Sequence, residues 1–323
     1  MKSSNFYLGI DAGGTKTSAV LCNTSGTILR TCQLGPGNIA ILDRGTIAQL
    51  IRNILDELLQ GDPTNSIRGA CCAFAGAGRP EEKATASELI RTLGISQYTI
   101  MTDAEIRYYS IFGDDSGILV SAGTGSICLL KTTDQRLLQI GGWGYLLGDE
   151  GSGYDIGRRA IKSVLQDLSY NESPSLFSRK LMLFYGLEKQ ENLISAIYSS
   201  PNPPKFIASC AKFVCELADM NDHEAQEIVE ETTSSLVQYA LQATKLINHA
   251  PMEKYKVALA GGIFRNNSVV YRKFTEKIRE KDLIFDYMKQ ELEPAAAAAL
   301  YALRLDRRSP SQHLLNQLDN IIF

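Results

Sequence analysis

The amino-acid sequence predicts an α/β protein built from two similar halves. The chain of 323 residues is long enough for two domains, each with its own hydrophobic core. An apolar run at Leu8–Ile10 leads into a glycine-rich turn, and the same order of features returns at Leu119–Ser121. Because the repeated unit is far longer than a short tandem repeat, the pattern indicates a duplicated domain.

The first half is predicted to start with three strands and to continue with alternating helices and strands. One apolar set recurs at helical spacing and predicts a helix over 47–58; its members are Ile47, Leu50, Ile51, Ile54 and Leu58. A second helix is expected through Leu89 and Ile90. The predicted strands are short apolar runs bounded by turn residues, at 6–10, 19–22, 28–29, 69–75 and 98–101.

The second half repeats the three-strand start and then becomes mainly helical. Its predicted strands are 118–121, 127–130, 137–140 and 256–260, and helices dominate from 149 to about 249. A last helix is expected over 294–306, with Pro294 in its first turn. We expect the boundary in the polar segment Asp114–Gly117. The predicted domains are therefore 1–116 and 117–323, with the last helix packing back on the first domain.

Composition excludes several classes of protein. The net charge of −3 and the absence of a Lys/Arg cluster argue against a nucleic-acid partner. No apolar run approaches the length of a membrane span, and the N-terminus does not resemble a signal peptide. Seven cysteines without a Cys-x-x-Cys pair predict reduced, buried thiols in a cytoplasmic protein. Three scattered histidines make a zinc site unexpected.

The first candidate phosphate loop is Asp11-Ala12-Gly13-Gly14-Thr15, directly after a predicted strand. Glycines allow a close approach to phosphate, and successive N–H groups in a turn bind anions. Asp11 could hold Mg²⁺ through water, since Mg²⁺ keeps several water ligands. An ordinary glycine-rich hairpin explains this segment equally well when it is taken alone. The spacing fits neither a P-loop nor a dinucleotide-binding fingerprint.

Two further glycine-rich segments strengthen the prediction of a nucleotide site. Gly123-Thr124-Gly125-Ser126 occupies the equivalent place in the second half, and Gly261-Gly262 follows the strand at 256–260. Ligands of open α/β sheets bind at the carboxyl ends of the strands. Three such strand ends are therefore expected to line one nucleotide site in a cleft between the halves.

Together these motifs resemble the N-acetylglucosamine kinase family, within the BadF/BadG/BcrA/BcrD-type ATPases. Two more motifs carry the resemblance, Thr102-Asp103-Ala104 and the segment 141–153, Gly-Gly-Trp-Gly-Tyr-Leu-Leu-Gly-Asp-Glu-Gly-Ser-Gly. The second is the most specific, and the resemblance covers essentially the whole chain. It implies two actin-like (ribonuclease H-like) domains with a central cleft for nucleotide and sugar.

The resemblance also implies roles for individual residues. Asp103 would be the catalytic base that accepts the proton of the sugar hydroxyl, and the alternative for an Asp after a strand is a helix N-cap. The implied sugar-binding residues are Asn38, Asp103, Gly142, Trp143 and Asp149. The implied ATP-binding residues are Gly13, Gly14, Thr15, Gly123, Thr124, Gly125, Ser126, Ala208, Gly262 and Asn266.

Three of the implied sugar ligands have structural alternatives. Asn38 follows Gly-Pro-Gly and could serve only a turn. Trp143, the one tryptophan, could belong to a core, and Asp149 could cap a helix. The chain also departs from the mammalian members of the family, which carry Asn where this sequence has Ile127.

The resemblance therefore implies an ATP- and Mg²⁺-dependent kinase that converts N-acetylglucosamine to its 6-phosphate, as a cytoplasmic homodimer. N-acetylmuramic acid and glucosamine remain open as substrates. The alternatives are an activator ATPase of the 2-hydroxyacyl-CoA dehydratase type, which would hold an iron–sulfur cluster through cysteines, and a non-catalytic sugar sensor. A glucokinase of the repressor-related type is disfavoured because the chain lacks its cysteine-rich zinc motif.

Overall fold

The computed structural model describes residues 5–132, 134–170, 173–247, 254–265, 268–289 and 292–306, without the side chain of Asn65. The chain divides into two compact units. Unit 1 comprises Met1–Asp114 and Lys289–Phe323, and unit 2 comprises Asp115–Met288. The chain thus returns to unit 1 at Lys289, before its last helix.

Unit 1 contains a five-stranded mixed sheet. Its strands are β1 (Phe6–Ala12), β2 (Thr17–Asn23), β3 (Ile28–Leu34), β4 (Ile67–Phe74) and β5 (Tyr98–Thr102). The strand order is β3-β2-β1-β4-β5. The first three strands form an antiparallel meander, and β4 and β5 run parallel to β1. The parallel strands therefore present their carboxyl ends at one edge.

Among the described residues of unit 1, four α-helices cover the two faces of this sheet. They are α1 (Arg44–Leu59), α2 (Pro80–Thr92), α3 (Asp103–Phe112) and α11 (Pro294–Leu305). Helices α1 and α2 pack on the face that includes Leu8 and Ile10, while α11 packs on the face that includes Tyr7. A Cβ at Gly9 would lie 2.1 Å from the Ala295 carbonyl oxygen, so only glycine allows the alanine-rich α11 to approach β1 this closely.

Unit 2 contains a second five-stranded sheet. Its strands are β6 (Ile118–Ala122), β7 (Ser126–Lys131), β8 (Leu137–Gly141), β9 (Tyr255–Ala260) and β10 (Phe285–Tyr287). The order β10-β9-β6-β7-β8 is that of unit 1 taken from the other end. Strand β6 again pairs antiparallel with the next strand and parallel with the strand that follows the helices. The predicted fold class, an α/β protein with a duplicated actin-like unit, is confirmed.

The helices of unit 2 lie mainly between β8 and β9. They are α4 (Gly153–Tyr170), α5 (Leu176–Phe184), α6 (Glu191–Tyr198), α7 (Pro203–Ala208), α8 (Ala211–Asp219), α9 (His223–Ile247) and, after β9, α10 (Val269–Arg279). Buried residues of α4 and α9 form one core with the sheet, including Ile156 and Leu236. In the described parts of the chain, no helix has the length and apolarity that a membrane crossing requires.

Candidate active site

The first glycine-rich turn of unit 1 is short and open. Strand β1 ends at Ala12, and the Gly13 N–H donates to the Lys16 carbonyl oxygen at 2.9 Å, which closes the turn into β2. Gly14 and Thr15 are exposed, and a Cβ at Gly14 would meet no atom within 4 Å. The backbone of this turn is therefore accessible to an anionic ligand.

The loop that carries Asn38 is bonded to the same edge of the sheet. The Gly37 N–H donates to the Gly13 carbonyl oxygen at 2.9 Å, and the Ile39 N–H donates to that of Ala75 at 3.0 Å. The Asn38 side-chain oxygen accepts from the Ala40 N–H at 2.9 Å. Asn38 thus serves the turn through its oxygen, while its amide NH₂ group can donate to a ligand.

Asp103 is the first residue of α3 and not its cap. Thr102 is the N-cap: its hydroxyl accepts from the Glu105 N–H at 3.0 Å, and the Glu105 carboxylate accepts from the Thr102 N–H at 2.6 Å. This capping box satisfies the helix terminus without Asp103. The alternative that Asp103 caps α3 is therefore wrong. Its carboxylate accepts from the adjacent Ala104 N–H at 3.0 Å.

Two carboxylates lie at the carboxyl edge of the unit 1 sheet, and the charge of one raises the pKa of the other. Burial raises the pKa of Asp11 from 3.8 to about 6, and the charge of Asp103 is the second cause of the rise. The positive charge of Arg107 opposes it. Burial also raises the pKa of Asp103, with Arg107 again opposing. A carboxylate with a raised pKa is a stronger base. The structure therefore brings together two of the predicted functional groups, Asp11 and Asp103.

The glycine-rich turn of unit 2 is bonded to the start of α4. The Gly153 N–H donates to the Gly123 carbonyl oxygen at 2.7 Å, and the Tyr154 N–H donates to that of Thr124 at 3.1 Å. Within the turn, the Gly123 N–H donates to the Gly125 carbonyl oxygen at 2.8 Å. Thr124 remains exposed, so its side chain can reach a ligand although the carbonyl groups of the turn are occupied.

Asp149, an implied sugar ligand, lies against this turn. A Cβ at Gly125 would be 2.8 Å from the Asp149 Oδ2, and the Ser126 N–H donates to the Asp149 Oδ1 at 3.3 Å. Asp149 is buried and has a left-handed backbone, with φ of 62°. Burial raises the pKa of Asp149, and the Ser126 N–H opposes the rise. The implied sugar segment and phosphate turn are therefore in direct contact within unit 2.

Trp143 does not belong to a core. Its side chain is 65% exposed, and the following Leu146 and Leu147 are more exposed still. Gly142 has a positive φ of 71°, and a Cβ there would lie 2.7 Å from the Ile127 side chain. The segment after β8 therefore presents an accessible aromatic ring beside a glycine that is pressed onto β7.

The remaining implied nucleotide residues lie after β9 and at the end of α7. Gly261 lies beside the end of β6, since a Cβ there would be 2.3 Å from the Ala122 carbonyl oxygen, while a Cβ at Gly262 would meet no atom within 4 Å. Ala208 ends α7, and its carbonyl oxygen would be 3.7 Å from a Cβ at Gly153. Asn266 lies outside the described residues.

Sequence reasoning missed two residues that act on these groups. Arg107 lies one helical turn after Asp103 and influences both acidic groups of unit 1. The i, i+4 spacing of Asp103 and Arg107 would have been a signal only if the sequence had also predicted the helix α3, which it did not. Tyr239, in the middle of α9, donates its hydroxyl proton to a Glu150 side-chain oxygen at 2.5 Å. No local motif marks Tyr239, because only the packing of α9 brings it to Glu150.

Two units of one topology, each with a glycine-rich turn after its first strand, define the duplicated fold of actin-like ATPases. The chain belongs to the BadF/BadG/BcrA/BcrD ATPase family, whose model matches residues 8–302. The prediction of the family is thereby confirmed.

Comparison with curated and solved proteins agrees with this membership. The chain is 31% identical over 274 residues to an N-acetylmuramic acid/N-acetylglucosamine kinase of Clostridium acetobutylicum, which covers 83% of this chain and 89% of that protein. It is 27% identical over 316 residues to an N-acetyl-D-glucosamine kinase of Dictyostelium discoideum, covering 93% and 98%. The predicted class of enzyme, an ATP-dependent kinase, is confirmed.

A solved structure of a proposed N-acetylglucosamine kinase from Chromobacterium violaceum has the same fold. Its TM-score is 0.75 at 24% identity, and the match covers 92% of this chain and 99% of that one. At this identity the likeness concerns the fold alone, and it agrees with the two-sheet architecture described above.

Proposed function

We propose that the protein phosphorylates an amino sugar with ATP, and that N-acetylglucosamine, converted to its 6-phosphate, is its main substrate. The observation that carries the proposal is Asp103. Asp103 follows a parallel strand at the sheet edge, and burial raises its pKa. Because Thr102 caps α3, the Asp103 carboxylate is not needed as a helix cap. Family membership and the two kinase relatives supply the reaction class.

Asp103 is proposed as the general base. Phosphoryl transfer requires an acceptor hydroxyl in line with the γ-phosphate, and a carboxylate that orients it and accepts its proton. The hydrogen bond from the Ala104 N–H fixes one carboxylate oxygen, and the other can face a sugar hydroxyl. Arg107 opposes the rise of the Asp103 pKa and so favours the ionised carboxylate, which is the form that a base requires.

Mg²⁺ fits the residues present. Among the described residues, no three His, Cys, Asp or Glu side chains form a metal-binding cluster. Mg²⁺ commonly uses one or two carboxylates with waters and substrate phosphates. Asp11, whose pKa is raised by burial and by Asp103, is the carboxylate that a cation would stabilise in its ionised form. Bound Mg²⁺ would supply charge neutralisation for the phosphates.

The glycine turns are proposed as the phosphate-binding elements. Within Gly13–Thr15, Gly14 offers an open backbone, and Thr124 offers an exposed hydroxyl on a turn held by α4. Gly262, Ala208 and Asn266 are proposed for the adenosine. These assignments agree with the anion-binding chemistry of backbone N–H groups in turns.

Sugar binding is proposed for Asn38, Gly142, Trp143 and Asp149, in addition to Asp103. The Asn38 amide can donate to a sugar oxygen, and the exposed Trp143 ring can pack on an apolar sugar face. The relative from C. acetobutylicum acts on two N-acetylated sugars, which supports an acetamido sugar as the substrate class. Asp149 would bind a sugar hydroxyl through its remaining carboxylate lone pairs.

We propose a cytoplasmic location, supported by the free thiols of all seven cysteines. The homodimer stays a prediction.

A coupled ATP-consumption assay tests the proposal. N-acetylglucosamine, N-acetylmuramic acid, glucosamine and glucose would be supplied at equal concentrations. We expect the highest kcat/KM with N-acetylglucosamine and product that carries phosphate on the 6-oxygen. ATP consumption that is independent of every sugar, from a brown and oxygen-sensitive preparation, would instead support the activator ATPase.

A further inference from the structure

The segment 141–151 of unit 2 packs against helix α9 at both of its ends. Gly141 has φ of 66°, and a Cβ there would lie 2.4 Å from the Tyr239 ring and hydroxyl. Gly151 has φ of 82°, and a Cβ there would lie 2.5 Å from the Leu236 side chain. Both ends of the segment are therefore pressed onto one face of α9, at positions one helical turn apart.

The phosphate turn of unit 2 is bonded to the same segment. The Ser126 hydroxyl donates to the Glu150 carbonyl oxygen at 2.7 Å, and the Ser126 N–H donates to the Asp149 carboxylate. The Tyr239 hydroxyl donates to the Glu150 side chain at 2.5 Å. One residue of the segment, Glu150, is thus held from both sides, by the phosphate turn through its backbone and by α9 through its side chain.

We propose that Tyr239 is a positioning residue that couples the nucleotide turn at Gly123–Ser126 to the sugar segment at Gly142–Asp149. By holding Glu150 in place, Tyr239 fixes the positions of Ser126 and Asp149. A change in the mobility of the nucleotide turn therefore also changes the mobility of the sugar segment. This inference rests on the proposed function, in which the two elements bind ATP and sugar.

The hydrogen bond from Tyr239 to Glu150 is of a kind that persists at all working pH values. A hydrogen bond from a neutral hydroxyl to a carboxylate is among the stronger ones in proteins. Burial and the Glu150 carboxylate raise the pKa of Tyr239 well above its ordinary range, while Ser126 opposes the rise. The hydroxyl therefore stays protonated and donates at every working pH. Because Gly141 packs directly on the ring, the ring also blocks inward movement of the segment.

The Tyr239→Phe variant isolates the hydroxyl and keeps the ring. Tyr287→Phe is the matched control, since Tyr287 is a half-buried tyrosine of the same unit, in β10, with a pKa that burial also raises. ADP affinity would be measured by calorimetry, and amide hydrogen exchange would be followed at residues 123–126 and 149–153. Neither measurement needs kinase activity.

We expect Tyr239→Phe to weaken ADP binding roughly tenfold, the usual scale for loss of a hydrogen bond to a charged group. Amide exchange should quicken at both elements together, and the sugar KM should rise. Tyr287→Phe should leave all three unchanged. Unchanged ADP affinity in Tyr239→Phe, or faster exchange at residues 149–153 alone, would overturn the coupling. Failure of the proposed function would appear elsewhere, as a wild-type enzyme without sugar-dependent ATP consumption.

Discussion

The glycine-rich turns of the two units arise from the same sequence pattern but have different surroundings. In unit 1, the turn at Gly13–Lys16 is open, and Gly14 could carry a Cβ without contact. In unit 2, the turn at Gly123–Ser126 is bonded to α4 and pressed against Asp149. The difference follows from what each turn contacts: the turn of unit 2 is held by the start of α4 and by Asp149, whereas the turn of unit 1 is bonded to the loop at Gly37.

The carboxylates of the two candidate site regions also differ in their surroundings. Unit 1 concentrates charge at the sheet edge, since the charge of Asp103 raises the pKa of Asp11, and Arg107 opposes the rise of the pKa of both carboxylates. Unit 2 uses its carboxylates as acceptors for internal hydrogen bonds, from Ser126 to Asp149 and from Tyr239 to Glu150. The comparison suggests that unit 1 carries the reacting groups and that unit 2 carries a prearranged binding frame.

The largest effect is expected from Asp103→Asn. The amide keeps the shape of the side chain but cannot accept the proton of the sugar hydroxyl, so kcat should fall by roughly 10² or more. ATP affinity should barely change, because the phosphates are assigned to the glycine turns. Steady-state kinetics and calorimetry on the variant provide the two measurements.

Asp43→Asn is a suitable control for the Asp103 variant. Asp43 is a true helix cap in unit 1, since its side chain accepts from the Thr46 N–H, and asparagine caps helices equally well. Its kcat and thermal stability should both stay near the parental values. If Asp103→Asn keeps most of its kcat on the best sugar, unit 1 does not supply the base, and the division of roles between the units is wrong.

The sequence predicted the regular elements well and the side-chain partners poorly. Buried strands such as β1 and β6, and the amphipathic helix α1, follow from apolar periodicity, which is a local property. The role of Thr102 as the cap of α3 could have been recognised from the spacing Thr-x-x-Glu. The contact of Asp149 with Gly125, and that of Tyr239 with Glu150, depend on long-range packing that leaves no local pattern.

A second prediction concerns the cost of the charge at Asp11. Its pKa is about 6 in the folded protein against an ordinary value of 3.8, so the folded state binds the proton more tightly than the unfolded chain. Stability therefore falls as pH rises from about 4 to 6, and the ionised carboxylate is destabilising above that window. At about 1.4 kcal/mol per pKa unit, the cost is roughly 3 kcal/mol at pH 7 or higher.

Asp11→Asn should remove this cost. Without nucleotide or Mg²⁺, we expect the variant to be more stable than the parent at pH 8, by up to about 3 kcal/mol, with a smaller gain at pH 4. Chemical denaturation of both proteins at the two pH values measures the difference. A gain in stability that does not depend on pH would show that the pKa of Asp11 is not raised. The proposed concentration of charge at the sheet edge of unit 1 would then be wrong.

The smallest expected effect compares the two turns directly, through Gly14→Ala and Gly125→Ala. A methyl group at Gly14 meets no atom within 4 Å, whereas one at Gly125 would lie 2.8 Å from the Asp149 carboxylate. The second variant must displace Asp149 and weaken its hydrogen bond from Ser126, so we expect a loss of about 1 kcal/mol of stability. Gly14→Ala should be neutral, or slightly stabilising, because alanine restricts the unfolded chain.

Thermal unfolding without nucleotide measures the stability of both variants. Equal losses for the two variants would mean that the turns have equivalent surroundings, whereas a loss confined to Gly125→Ala would establish that only the second turn is part of a packed frame.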